Sequence, residues 1–438
     1  MTESGGKSNS EQLSLTPPRG MRDLLPRETA LRDWATRVIL DTYEHFGFSR
    51  IETPALEHIQ NLKGGEGGEN LKLIYEVLKR GDKLDKAISG GNPNRGDLAD
   101  LGLRFDLTVP LVRYFCNNQN DLLYPLKAIQ IGAVWRAEAP QVGRFRQFTQ
   151  CDIDILGVKS AVAEMELLTA SSAALLNLGF NDFRIRINDR RLLTALVEHC
   201  GFTGRFDPVF IAIDKLDKIG IKGVSKELVE NGHAEETVTK LANILEKAPP
   251  EGTNLAEFKA TLNREDLDAV FKSLEDVIAA IEATAESKYD VIFDPTLVRG
   301  MGYYTGAIFE IGMKGYSYSM GGGGRYDNMV GKFSGREVPA CGFSIGFERI
   351  IGVLLDQGVT PKDGREKLAL IFDPDRDSGR DVMQAAAKLR EQGFSVAVHP
   401  RKKDMKKQLD AFMAQDFAKF VPFRGDINNL EIKPLSKP

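Results

Sequence analysis

Between residues 29 and 46, apolar positions recur at three- and four-residue spacing through LRDWATRVILDTYEHF, which predicts an amphipathic helix with Gly47 placed to cap it. The SRIETPALE stretch that follows reads as a short extended segment. Pro54 puts it at an edge or an interface, because proline cannot donate to a strand ladder. From Leu103 to Gly157 three runs, LRFDLTVP, KAIQIGAVWRA and FTQCDIDILG, show the two-residue rhythm of strands. A polar, glycine-containing connection, APQVGRFRQ, joins the last two and reads as a mobile loop. The region therefore predicts antiparallel sheet. A helix is expected over 161–178, and FNDFRIRIND supplies another alternating strand.

The character changes over 190–287, where charged amphipathic segments such as KELVENGHAEETVTKLANILEK predict an inserted helical domain. Strand patterns resume with DVIFDPTLVRGMGYYTGAIFEI and YSYSMGGGGRYDNMV. VPACGFSIGFERIIGVLL then reads as a strand or turn followed by a helix carrying Arg349. From about residue 365 the order is strand, helix, strand, helix, a small α/β unit that looks short of a free-standing domain. The expected organisation is a disordered arm (1–18), a catalytic domain in two parts (19–189 and 288–360), the helical insertion (190–287) and the carboxy-terminal unit (365–438).

At 438 residues and 42% hydrophobic content, the chain can bury more than one core. A net charge of -4 argues against nonspecific coating of nucleic acid, so any RNA would be bound through a local patch. The four cysteines form no CxxC pair and read as reduced thiols, which points to a cytoplasmic protein. The polar start, MTESGGKSNSEQ, and the lack of a long apolar run lead us to expect neither secretion nor a membrane span.

Candidate chemistry comes from three arginines with apolar flanks: Arg136 in VWRAE, Arg299 in LVRG and Arg349 in GFER. Guanidinium groups bind phosphate and carboxylate in a forked geometry, so three converging on a pocket would suit a triphosphate. Each also fits a surface ion pair. On strands, Asp106 and Thr108 would share one face, and Gln150, Asp152 and Asp154 another, an anionic corner for an ammonium or imidazolium. An exposed polar sheet face is the alternative. Tyr303 and Tyr304 fit either core aromatics or hydroxyls beside Asp154. The run Gly321 to Gly324 fits either a flexible turn or a surface where side chains would obstruct a ligand.

Taken together, FDLTVPLVRY, WRAEAPQVGRFRQFTQCDIDILG, LVRGMGYYTG, GGGGRYD and GFSIGFER resemble, in order and over nearly the whole chain, the class II histidyl-tRNA synthetase family. The resemblance implies an α/β (α+β) fold: the class II aminoacyl-tRNA synthetase antiparallel sheet with helices, a helical insertion and a small carboxy-terminal domain similar to an anticodon-binding module. It implies ATP as substrate, with Mg2+ accompanying it, and L-histidine and histidine tRNA as partners of a homodimer. Arg136 would contact the α-phosphate and Arg299 would bridge that phosphate and the substrate carboxylate, the two catalytic roles. Glu138 would lie on the adenine side, with Phe148 and Arg349 sandwiching the base. Asp106, Thr108 and Gln150 would hold the α-ammonium; Asp154, Tyr304 and Tyr303 would read the imidazole, above a floor that includes Gly322 and Gly323.

Two further readings share the resemblance: a non-catalytic regulatory subunit of ATP phosphoribosyltransferase, and a histidine-adenylating enzyme with a small acceptor. The chain also departs from the family pattern. Gly302 stands where members commonly carry Asp, and Ala139 where bacterial members carry an arginine near the tRNA acceptor end. Weak dependence on the extra 5′ guanosine of histidine tRNA is therefore expected, with Gln141, Arg144 and Arg146 as acceptor-end contacts.

Overall fold

The computed structural model describes residues 13–65, 69–91, 93–139, 145–248, 252–299, 302–361 and 364–435. Helix Pro26–His45 turns Ile39 and Tyr43 fully inward, and Gly47, at φ 79°, ends it in the left-handed region that glycine enters without strain. Most of the expected arm lies outside the described residues. Within it, Leu13 and Leu15 are exposed.

Among the described residues eight strands form one sheet, in the order Ser49–Arg50, Leu126–Trp135, Gln147–Leu156, Ala340–Ile345, Ser319–Arg325, Ala307–Met313, Phe183–Asp189 and Tyr289–Phe293. The interior pairings are antiparallel, as expected, whereas the outermost strand on each side pairs parallel to its neighbour. Parallel neighbours need long crossovers. The helical segment between Phe183–Asp189 and Tyr289–Phe293 is one of these.

That segment holds helices Arg190–Cys200, Asp207–Ile213, Leu216–Glu230, Glu235–Glu246, Leu255–Leu262 and Asp268–Ala285. The last packs on helix Val162–Asn177, which in turn covers strand Ala340–Ile345. One face of the central sheet is thereby sealed. From Cys151 to Leu156 every residue of the central strand is buried, so its alternation does not mark a half-solvated face. Cys151, Ile153 and Ile155 are apolar core. Asp152 and Asp154 are equally buried on the other face, in the wall of a cavity.

LRFDLTVP is not a single strand. Strand Ala99–Leu103 stops before Arg104, and helix Thr108–Asn118 begins five residues later, so Asp106 and Thr108 do not share a strand face. Asp106 Oδ1 accepts from the Val109 N–H at 3.2 Å and satisfies one orphan donor of the helix start. The helix buries Val109, Leu111, Val112 and Phe115, and burial on several sides leaves no polar face to reveal its period. GGGG is not a flexible turn: it lies inside strand Ser319–Arg325, paired on both sides.

By contact, the chain divides into two compact units, 1–23 with 35–354 and 24–34 with 355–438. In the second, strands run in the order Ser395–Pro400, Lys367–Phe372, Lys419–Pro422 and Lys433–Pro434, and only the last pairing is antiparallel. Helix Gly379–Glu391 packs Val382, Ala386 and Leu389 onto Leu368, Leu370 and Val421.

Candidate active site

A cavity of about 300 Å³ opens on the polar face of the eight-stranded sheet. Its walls bring together thirteen of the sequence candidates: Asp106, Thr108, Arg136, Glu138, Phe148, Gln150, Asp154, Arg299, Tyr303, Tyr304, Gly322, Gly323 and Arg349. Arg146 is not in its lining; Nε of Arg146 donates to the Glu138 carbonyl at 3.0 Å and Nη1 to that of Arg19 at 3.4 Å. Gln141 and Arg144 lie outside the described residues.

The loop carrying Asp106 is clamped by strand Leu126–Trp135 and the residue that follows it. Arg136 Nε donates to the Phe105 carbonyl at 3.0 Å, and Gln130 Nε2 to the Leu107 carbonyl at 2.9 Å. Arg136 also lies over the Phe148 ring, 5.1 Å from its centroid, which holds cation and aromatic side by side for a flat, anionic ligand. Opposite, Arg349 is fixed by Nη1 bonds to the Ser319 carbonyl (2.6 Å) and hydroxyl (3.0 Å). Its neighbour Glu348 accepts from the Thr149 N–H at 3.0 Å and meets Arg22, which stacks 4.7 Å above Phe145.

Arg299 lies across the glycine strand. A Cβ on Gly322 would stand 2.5 Å from Arg299 Nη1, closer than real contacts allow, so this position needs glycine for want of space rather than for backbone freedom. Arg299 Nη1 donates to Glu310 Oε2 at 2.7 Å. Tyr303 and Tyr304 pack edge to face at 4.9 Å, and burial raises the Tyr304 hydroxyl pKa above its ordinary value against the pull of Arg299.

A third tyrosine, Tyr326, lines the same cavity. Tyr326 donates to Asp154 Oδ1 at 2.6 Å. The bond passes over Gly342, the cross-strand partner of Asp154, where a Cβ would stand 2.0 Å from the carboxylate oxygen. The signal for Tyr326 was its place in GGGGRYD, directly after the glycines. Arg325 of that motif spends all five donors on Glu164, Asp327 and the Val158 and Ser160 carbonyls, fixing where Tyr326 leaves the strand.

Three carboxyls, Asp106, Asp152 and Asp154, crowd this pocket. Burial pushes Asp106 up to about 6, against its backbone bonds and Arg136. Burial likewise pushes Asp154 up to about 7, against the Tyr326 bond. Asp152 is raised well above the carboxylate range by burial and then by Asp154. Such a pocket favours a cationic ligand that restores ionisation.

A family model described as Histidyl-tRNA synthetase matches residues 20–350. A histidine–tRNA ligase of Leifsonia xyli subsp. xyli (strain CTCB07) is 44% identical, over 97% of this chain and 99% of that relative. The chain belongs to the histidyl-tRNA synthetase family. The histidyl-tRNA synthetase structure from Nostoc sp. PCC 7120 is similar at TM-score 0.72 and 28% identity, covering 94% of this chain and 92% of that one. A Bacillus halodurans C structure titled as an ATP phosphoribosyltransferase regulatory subunit/histidyl-tRNA synthetase has TM-score 0.73 at 23% identity, covering 92% and 97%. That likeness is one of fold alone. In this chain the glycine strand, Tyr303, Tyr304, Tyr326 and Asp154 line one cavity.

Proposed function

We propose that the cavity activates L-histidine with ATP and that the chain then transfers the histidyl group to histidine tRNA. As a member of the histidyl-tRNA synthetase family it is an aminoacyl-tRNA ligase, with histidine, ATP and tRNA as substrates. The observation that carries the residue-level reading is the convergence of Arg136, Arg299 and the buried aspartates on one cavity. The arginines suit phosphate, and the carboxylates suit a substrate with an ammonium and an imidazole.

In this scheme the histidine carboxylate attacks the α-phosphorus of ATP, the bond to the bridging oxygen breaks, and pyrophosphate leaves as histidyl-adenylate forms. Arg136 and Arg299 face the α-phosphate, where negative charge concentrates in the transition state. Both are held before substrate arrives, by Phe105 and by Glu310, so little reorganisation accompanies the reaction. Phe148 and Arg349 flank the adenine, with Glu138 at its edge. Tyr326, rather than Tyr303 or Tyr304, supports Asp154 against the imidazole.

Magnesium is proposed to arrive on the triphosphate. Glu138 and Glu348 are hard oxygen donors on the cavity wall, of the kind magnesium takes alongside phosphate oxygens. Among the described residues no group of three or more His, Cys, Asp or Glu side chains would cage an ion alone. A homodimer, a cytoplasmic site of action, the division into a catalytic domain with a 190–287 insertion, and an anticodon-binding-like unit over 365–438 belong to the same proposal. So do acceptor-end contacts by Gln141, Arg144 and Arg146. No described helix is long and apolar enough to cross a membrane.

The test is pyrophosphate exchange with each amino acid, followed by charging of total tRNA. Exchange with histidine alone and charging of histidine tRNA are expected, and Arg299→Ala should remove the exchange while leaving the fold intact. Exchange without charging would point to a small acceptor; neither activity would point to a regulatory subunit.

A further inference from the structure

Three side-chain acceptors facing this cavity have no hydrogen-bond partner among the described residues: Asp106 Oδ2, Gln150 Oε1 and Asp152 Oδ1. Each is buried away from water, where leaving an acceptor unpaired is costly. Asp154 does not belong to this set, because Tyr326 bonds to it. The orphans therefore mark a second polar subsite next to the one for the ring.

Their orientation is set by Ser344. Gln150 Nε2 approaches Ser344 Oγ at 3.2 Å, and Ser344, the cross-strand partner of Asp152, also hydrogen-bonds the Asp152 carboxylate. Ser344 favours the ionised form of Asp152, as a donor does, and a hydroxyl has one proton to give, so it donates to Asp152 and accepts from Gln150. With its NH2 committed to Ser344, the Gln150 amide must present its oxygen elsewhere, and with one Asp152 oxygen committed the other is left over. Asp106 is divided the same way, Oδ1 on the Val109 N–H and Oδ2 unpaired.

We infer that Asp152 is a recognition residue for the substrate's α-ammonium, its Oδ1 joining Asp106 Oδ2 and Gln150 Oε1 to receive the three N–H groups. The inference rests on the histidine-activating reading above and adds Asp152 to the set Asp106, Thr108 and Gln150 expected from the sequence. The count is what selects the ligand group. An ammonium brings three donors and a positive charge; an imidazole brings one donor when neutral and two when charged, directed apart in the ring plane. Two carboxylates and an amide oxygen match the first in number and sign. The residue is 4% exposed, so it has no solvent role to explain its charge. Its elevated proton affinity, from burial and then Asp154, is what an anionic subsite shows before its cation arrives.

The experiment uses the full-length enzyme and two competitive inhibitors of exchange: histidinol, which keeps the ammonium and lacks the carboxylate, and 3-(imidazol-4-yl)propionate, which lacks the ammonium. Asp152→Asn is expected to raise the KM for histidine and the Ki for histidinol about tenfold or more. The Ki for the propionate should stay put or fall, and the KM for ATP should not move. Equal weakening of both inhibitors would reveal a merely structural residue and overturn the inference, as would no change in either. Should Asp152→Asn fail to fold, Ser344→Ala applies the same readout, since it releases both Gln150 and Asp152. If the wild type does not exchange pyrophosphate with histidine, the parent reading falls and this inference with it. If the wild type exchanges and the variant keeps the wild-type preference for histidinol, only the assignment of Asp152 is wrong.

Discussion

Arg299 and Glu310 form the inner link of a chain of charges. Arg299 Nη1 donates to Glu310 Oε2 at 2.7 Å, Glu310 Oε1 stands 3.4 Å from Arg186 Nη1, and Arg186 Nε donates to Asp294 Oδ2 at 2.5 Å. Arg186 also reaches Asp217, in helix Leu216–Glu230, at 3.4 Å. Glu310 is held from both sides and so fixes the direction of the Arg299 guanidinium.

Glu310→Gln keeps the shape and one acceptor but removes the charge that orients Arg299. We expect kcat for histidine-dependent pyrophosphate exchange to fall on the order of tenfold, with both KM values within about twofold of wild type, as for an interaction that matters in the transition state. Glu310→Asp, which restores charge with a shorter reach, should recover part of the loss. A rise in the ATP KM at constant kcat would place Glu310 in ground-state binding instead.

In the proposed reading the Asp154 carboxyl, raised to about 7 by burial, meets a substrate ring whose free pKa is about 6.5. One proton shared between them can sit on either partner, so the pair binds in a singly protonated form. kcat/KM for histidine should therefore trace a bell with its maximum between about pH 6.5 and 7. In Asp154→Asn the alkaline fall should vanish, leaving a profile that rises to a plateau as the ring becomes neutral. Unliganded stability follows the opposite logic. Because the folded carboxyl holds its proton more tightly than the unfolded one, ionisation destabilises the fold as pH rises from about 4 to 7, and Asp154→Asn should gain about 1 kcal/mol or more over wild type at pH 8 that disappears near pH 4. Thermal melts across that range, and initial rates against pH, check both.

Gly322→Ala places a methyl 2.5 Å from Arg299 Nη1. The backbone there is ordinary strand, so the cost falls on Arg299, which must swing away from Glu310. Exchange should drop by a factor of about 10² while the melting temperature moves by only a few degrees, in line with the cost of displacing one preorganised donor. Unchanged exchange would mean that Arg299 does not need the position seen here.

Arg325 and Glu164 form a buried fork, Nε to Oε1 and Nη2 to Oε2, both at 2.6 Å, with side chains 8% and 4% exposed. Glu164→Ala leaves the guanidinium buried without its counter-charge and should destabilise the fold by roughly 3–5 kcal/mol in denaturant titrations. Since Arg325 sets the exit of Tyr326, histidine KM should rise in the variant wherever it remains folded.

The periodicity of the chain determined the kind and order of most elements: the first helix, the strands carrying Gln150 to Asp154 and the alternating FRIRI run, the helical insertion, and a small α/β unit at the carboxy terminus. Spacing of three-to-four and of two is a local property, and these segments keep it because one face of each meets the core. The motifs likewise determined which residues carry charge and which positions are glycine. They could not determine whether LRFDLTVP is a strand, because burial of the Val109 to Phe115 helix on several sides erases the polar face that would have revealed its period. Nor could they choose among Tyr303, Tyr304 and Tyr326. That choice belongs to the register between Gly324 and Gly342 and between Gly342 and Asp154, which lays Tyr326 across Gly342 onto the carboxylate. The count of unpaired acceptors around Asp152 is of the same kind. A hydrogen-bond vacancy exists only once every neighbour has been placed, because each donor in the sequence has several acceptors within reach until tertiary packing removes all but one.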